Sequence, residues 1–181
     1  NTKPSFFTIG TNAIIIFSEG GTVAFNTGDN IWVGALQYIS ETSGYWLIVE
    51  ETDVLQVQGI PTAPVSYNIH QGYNLISYPY QYSQSLSDAL LDTDAINNIS
   101  AIYGEGVATI KVDNTWKGSL ESFAGGKGYW IDANDDFGFE YNQPNSGDVS
   151  PNPVPNPPGI FSFNQSKNQY FFSKLFVKEK I

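Results

Sequence analysis

The chain has no cysteine and no methionine, and all eight of its basic residues are lysine. Without cysteine there is no disulfide, thiolate metal site or catalytic thiol. Secreted proteins often carry disulfides but need not, so cysteine usage leaves the compartment open. The absence of methionine, even at position 1, reads as a processed or excised piece. Without arginine, and with 18 acids against 8 bases for a net charge of −10, there is no cationic footprint for phosphate. Nucleic acid is therefore not an expected partner. No apolar run exceeds the five residues of 13–17, whereas a spanning helix needs about 20. No basic segment followed by an apolar one opens the chain, so neither a signal peptide nor membrane insertion is expected. The single histidine, His70, excludes a histidine-based zinc site by count and gives no signal for a Ser-His-Asp triad. It reads as a surface or joint residue.

What is present is strand-forming material. The 181 residues are 41% hydrophobic and 15% aromatic, enough for a packed core in one domain or two small ones. Val, Ile, Thr, Phe, Tyr and Trp crowd short segments divided by Gly, Asn, Asp and Pro. Strands are predicted at 13–17, 22–26, 31–38, 45–50, 53–58, 73–80, 99–103, 107–112, 115–120, 128–133 and 137–141. Glu19-Gly20-Gly21, 27–30 and Asp113-Asn114 read as tight turns, because Gly and Asn tolerate positive φ. One short helix is predicted near 85–92, with Ser85 as N-cap and Asp88 closing a shortened capping box. The expected fold is all-β, mainly antiparallel and sandwich-like, with that one helix.

The organisation follows from an internal repeat. Residues 29–36 (DNIWVGAL) match 113–120 (DNTWKGSL), and Gly44-Tyr45-Trp46 matches Gly128-Tyr129-Trp130 at the same offset of 84. Eight positions are identical across 29–47 and 113–131, and all four Trp lie in the pattern. The repeat-core residues are Trp32, Gly34, Gly44, Trp46, Trp116, Gly118, Gly128 and Trp130. One ring of each Tyr-Trp pair is expected in the core, because adjacent strand residues point to opposite faces. All four Trp are expected to be largely buried. The alternative for these rings is an aromatic platform that stacks on sugars.

The expected division is a first β-module over 1–60 as a partial repeat, and a second over 65–142 as a complete one. A spacer follows at 143–159, with five prolines inside 151–158 favouring extended chain. Residues 160–181 read as the start of a further β-module or as an exchanged hairpin. Their alternating faces are too apolar to leave in water, and four of the eight lysines lie between 167 and 180.

Gly72-Tyr-Asn-Leu-Ile-Ser-Tyr-Pro79, then 113–120, then Gly125-Gly126-Lys127-Gly128-Tyr129-Trp130 resembles the "GWNLISxP…WxGxL…GxGYW" β-modules. Those recur in large secreted and surface proteins of marine bacteria and in marine phage structural proteins. The resemblance implies an extracellular, cell-surface or virion-surface setting and carries no catalytic residues. The first copy lacks the N-L-I-S-Y-P half.

The remaining constellations are thin. Asp132, Asn134 and Asp136 imitate the first half of a calcium loop. Phe137 stands at the glycine position and Gln143 where a bidentate Glu is needed, so an acidic turn is the preferred reading. Gly125–Gly128 lacks the Ser/Thr and following helix of a phosphate loop. No catalytic pair and no cofactor are expected, with Ca²⁺ the one weak candidate. The expected function is a non-enzymatic structural module of a fibre, spike or decoration protein. Its partners would be copies of itself or neighbouring subunits. The main alternative is a glycan-binding adhesin module using exposed aromatic rings.

Overall fold

The computed structural model describes residues 13–27, 31–37, 39–49, 54–56, 63–144, 160–162 and 169–173. For Ala13, 54–56, 160–162 and 169–173 it describes the backbone alone. The first module holds β1 (Ala13–Phe17), β2 (Val23–Asn26), β3 (Trp32–Gly34), β4 (Gly44–Val49) and β5 (Val54–Gln56). The second holds β6 (Ser66–Ile69), β7 (Gly72–Ser77), β8 (Gln84–Ser85), α1 (Leu86–Ala89) and α2 (Thr93–Asn98). It continues with β9 (Ile99–Gly104), β10 (Val107–Val112), β11 (Thr115–Gly118), β12 (Ser122–Phe123), β13 (Gly128–Ala133) and β14 (Phe137–Glu140). Two further strands follow, β15 (Ile160–Ser162) and β16 (Gln169–Ser173). The protein is all-β with short helices, and among the described residues every strand pair is antiparallel.

The repeat is one sheet built twice. The first module orders its strands β4-β1-β2-β3 and the second β13-β9-β10-β11. Ile16 lies opposite Ala24 and Leu47, as Ile102 lies opposite Thr109 and Ile131. All six are buried, so the shared register carries the shared core. The β10–β11 turn has φ of 50° at Asp113 and 59° at Asn114. Positive φ at both central residues suits the right-handed twist of the flanking strands. The matching pair at 29–30 lies outside the described residues.

Each sheet carries a fifth strand on the same side. Beyond β13 lies β7, with Trp130 opposite Leu75 and Gly128 opposite Ser77. Beyond β4 lies β16, with Trp46 opposite Phe171 and Gly44 opposite Ser173. The preceding strands match as well. β6 pairs β14 with Tyr67 opposite Phe139, and β15 pairs β5 with Phe161 opposite Leu55. Strands β15 and β16 thus hold in the first module the positions of β6 and β7 in the second. One comes from the far end of the chain, the other from within its own module.

The structure corrects the helical expectation. The single helix near 85–92 is two. Ser85 Oγ caps α1 by accepting the Asp88 N–H at 3.1 Å, and Leu90 ends it. Asp92 then caps α2, its carboxylate accepting from Asp94 and Ala95 at 2.9 and 3.0 Å. Asp92 was read as the end of one helix and is the start of the next.

The tryptophans are a second correction. Trp32, Trp46, Trp116 and Trp130 are all half-buried. The buried ring of each Gly-Tyr-Trp is the tyrosine, with Tyr45 and Tyr129 2% and 3% exposed. A buried hydroxyl needs a partner, and the repeat supplies the same one twice. Tyr45 Oη accepts the Ser40 N–H at 2.7 Å, and Tyr129 Oη accepts the Ala124 N–H at 2.8 Å. Burial pushes the Tyr129 hydroxyl up to about 12, the Ala124 bond opposing it. Around Tyr129 the second module packs Tyr67, Tyr78, Phe123, Phe139 and Tyr141 edge-on and stacked, at centroid separations of 4.9–5.4 Å. Trp116 packs only against the rim of that core, with Lys111 Nζ 5.7 Å from its ring centroid.

Gly34 and Gly118 explain why the Trp-x-Gly spacing is kept. A Cβ on Gly34 would collide with the Val23 carbonyl, and one on Gly118 with the Ala108 carbonyl. Neither backbone neighbour can move away, because each belongs to the paired strand. Gly34→Ala and Gly118→Ala are therefore each expected to cost about 1–3 kcal/mol, the range for overpacking. Denaturant unfolding of the two variants should show losses of similar size.

Candidate interaction surface

Two features outside the cores have the geometry to meet something: the joint between the modules, and the outer faces of the two sheets. The joint is made on β7. Its outward backbone groups would otherwise form a bare edge. The Leu75 N–H donates to Glu19 Oε2 at 2.7 Å, and the Ser77 N–H to the Thr42 carbonyl at 3.1 Å. Ser43 bridges to Ile76, and Ser77 Oγ donates to the Glu41 carbonyl at 2.6 Å. Gly44 sits where a Cβ would come within 2.9 Å of the Ile76 carbonyl. The strand that carries Tyr45-Trp46 therefore begins with a glycine in contact with the other module.

His70 belongs to this joint. Its Nε2 lies 2.7 Å from Glu19 Oε1 and its Nδ1 2.8 Å from the Gln71 carbonyl oxygen. Both ring nitrogens face acceptors, and a neutral imidazole has one N–H. Protonation supplies the second donor. The Gln71 carbonyl first, then Glu19, raise the pKa above 6.5, and the Asp136 charge adds to this.

On the outer faces the repeat diverges. In the first module Phe17 lies opposite Trp46, their rings stacked at 6.1 Å and 20°. Ile15 lies opposite Ile48 and Phe25, and Phe25 opposite Val33, so this face is apolar across β4, β1, β2 and β3 at these positions. In the second module the corresponding residues are Tyr103 opposite Trp130, and Ala101 opposite Asp132. Tyr73 lies on the other side of Asp132 and is 57% exposed. Tyr73 and Tyr103 lean towards each other across β13, with ring centroids 6.2 Å apart and planes at 52°. Desolvation, then the neighbouring Tyr73 and Asp132, raise the Tyr103 pKa above 10.0. Tyr73 stood only within the Gly72–Pro79 run and Tyr103 in no motif, and only the strand register reveals that they meet.

Of the candidate metal residues, Asp136 and the Asn134 backbone hold the Gln71 turn. Asp136 Oδ1 accepts the Gln71 N–H at 2.7 Å, and the Asn134 carbonyl accepts from Gln71 Nε2 at 3.0 Å. Asp132 lies in β13 on the outer face, away from that turn. Among the described residues no group of three His, Cys, Asp or Glu is arranged to hold a metal ion. Of the repeat-core glycines, Gly44 and Gly128 are buried at the start of their strands, and Gly34 and Gly118 lie exposed at the ends of β3 and β11. Among the described residues no helix is long and apolar enough to cross a membrane. Compared with known protein families, curated proteins and solved structures, the chain matches none.

The His70 contact gives the joint a pH dependence with a definite sign. Folding raises the histidine pKa, so its stabilisation is full below the unfolded value of about 6.5 and is lost as pH rises through the folded value. Glu19→Gln should move the His70 pKa part of the way back towards 6.5, the Gln71 carbonyl keeping the rest. The sole histidine makes this a one-resonance NMR titration. An unchanged pKa in the variant would mean that Glu19 does not hold the ring.

Proposed function

We infer that the chain is a non-enzymatic structural module of an extracellular or virion-surface assembly, joined to copies of itself by exchange of strands β15 and β16. The observation that carries this reading is the place of those two strands. They fill, on β5 and β4, the positions that β6 and β7 fill on β14 and β13 within the second module. An element that completes a sheet from a distant part of the chain can be supplied equally by a second copy, which is the logic of domain swapping. The 143–159 stretch supports exchange. Its prolines favour extended chain, and a stiff tether lowers the effective concentration of a donor for its own acceptor. The resemblance of 72–79, 113–120 and 125–130 to modules of secreted, surface and phage structural proteins supports the setting. Acidity with a net charge of −10 suits a soluble, self-repelling subunit that associates only through a specific edge.

The absence of cysteine makes the test clean. Ile48 and Gln169 lie directly opposite each other on β4 and β16. One chain carrying Ile48→Cys is mixed with another carrying Gln169→Cys, refolded together across a range of concentrations and oxidised. A disulfide-linked pair containing one of each is the expected product. If the double variant closes its disulfide only within one chain, and the mixed single variants never link, the exchange reading fails.

A further inference from the structure

We propose that the outer face of the second module's sheet, formed by Tyr73, Tyr103, Trp130 and Asp132, is a binding platform for a neutral saccharide. The comparison between the two copies carries this inference. On one backbone trace, Phe17 of the first module becomes Tyr103, and Ile48 becomes Asp132, while Trp46 and Trp130 are kept. The first face is apolar at each of the corresponding positions of β1 and β4. The second keeps the large ring and adds hydroxyls and a carboxylate around it.

That carboxylate has, among the described residues, no hydrogen-bond or ion-pair partner. Among the described residues the ion pairs join His70 to Glu19 and Lys127 to Glu105, and no protein group donates a hydrogen bond to the Asp132 side chain. A carboxylate set among aromatic rings, with no protein donor on its oxygens, leaves its acceptor sites open to a ligand that brings donors. Asp132 is directly opposite Tyr73, and its charge is felt by Tyr103. The acceptor therefore lies among the rings.

The ligand must bring an apolar face and hydroxyl donors together. A pyranose does both: its C–H face stacks on an aromatic ring, and its hydroxyls donate to a carboxylate. An anionic ligand is disfavoured by Asp132 and by the net charge of −10. An organic cation also suits rings and a carboxylate, and is best held where rings enclose it. Here the residues lie along one face of a sheet, with Tyr73 exposed and Tyr103, Trp130 and Asp132 half-buried beside it, and no ring closes over the others, which suits a sugar laid along the face. Ile110, half exposed on β10 and opposite Ala101, continues the face beyond Tyr103.

The test is native gel electrophoresis of the full chain through gels containing one neutral polysaccharide each: hydroxyethyl cellulose, laminarin, glucomannan, xylan or galactan. Retardation by at least one is expected. Tyr73→Ala should weaken it roughly tenfold, and Asp132→Asn and Tyr103→Phe several-fold. Phe25→Ala on the first module's face should leave it unchanged. Tyr73 is exposed, so its variant should keep the wild-type unfolding curve, which separates lost binding from lost folding. No retardation by any of the five, or retardation indifferent to Tyr73→Ala and Asp132→Asn, overturns the proposal. So does choline competing at the same residues, which would reassign the face to a cation.

Discussion

A β-strand at the margin of a sheet presents backbone donors and acceptors that must find partners, and most of this architecture answers that requirement. β13 is covered by β7, and β7 in turn is capped by Glu19, Thr42 and Ser43 of the first module. β4 is covered by β16, and β5 by β15. The two sheets obey one rule with different donors. The second takes its covering strands from the residues just before it, and the first takes them from beyond the proline-rich stretch. This difference is what the proposed exchange between copies would use.

The joint and the faces follow from the same frame. Because β7 is closed by the other module, the outer-face residues Leu75 and Ser77 are buried while Tyr73, on the same face, is open. The repeated Gly-Tyr-Trp serves three ends at once. Gly44 admits the neighbouring module, the tyrosine fills the core and bonds a loop amide, and the tryptophan remains half-exposed on the outer face. The outer positions are free to diverge between copies because neither core depends on them. One copy has become apolar, the other polar and aromatic.

The strands were legible in the sequence because alternation and turn residues mark them directly, and the 84-residue offset announced two related sheets. The core ring was misread. Size alone favours tryptophan, yet the alternation along Gly-Tyr-Trp cannot say which ring points inward. That is decided by the loop amides of Ser40 and Ala124, which require a hydroxyl acceptor. The second helix was missed because Asp92 fits either end of a helical turn. β6 was missed because Ser66-Tyr67-Asn68-Ile69 alternates over only four residues. Asp132 was singled out as a metal candidate by its spacing to Asn134 and Asp136, but its neighbours Tyr73 and Tyr103 lie far away in sequence. Only the register of β7, β13 and β9 brings them together.

The central claim is that β4 depends on a strand supplied from residues 160–173. Amide hydrogen exchange followed residue by residue, in the full chain and in a chain ending at Gly159, tests it most directly. Loss of protection along β4 in the shorter chain, with β13 unchanged beside its own β7, is the expected result. Equal protection of β4 in the two chains would contradict it, because the edge would then need no partner from beyond the proline-rich stretch.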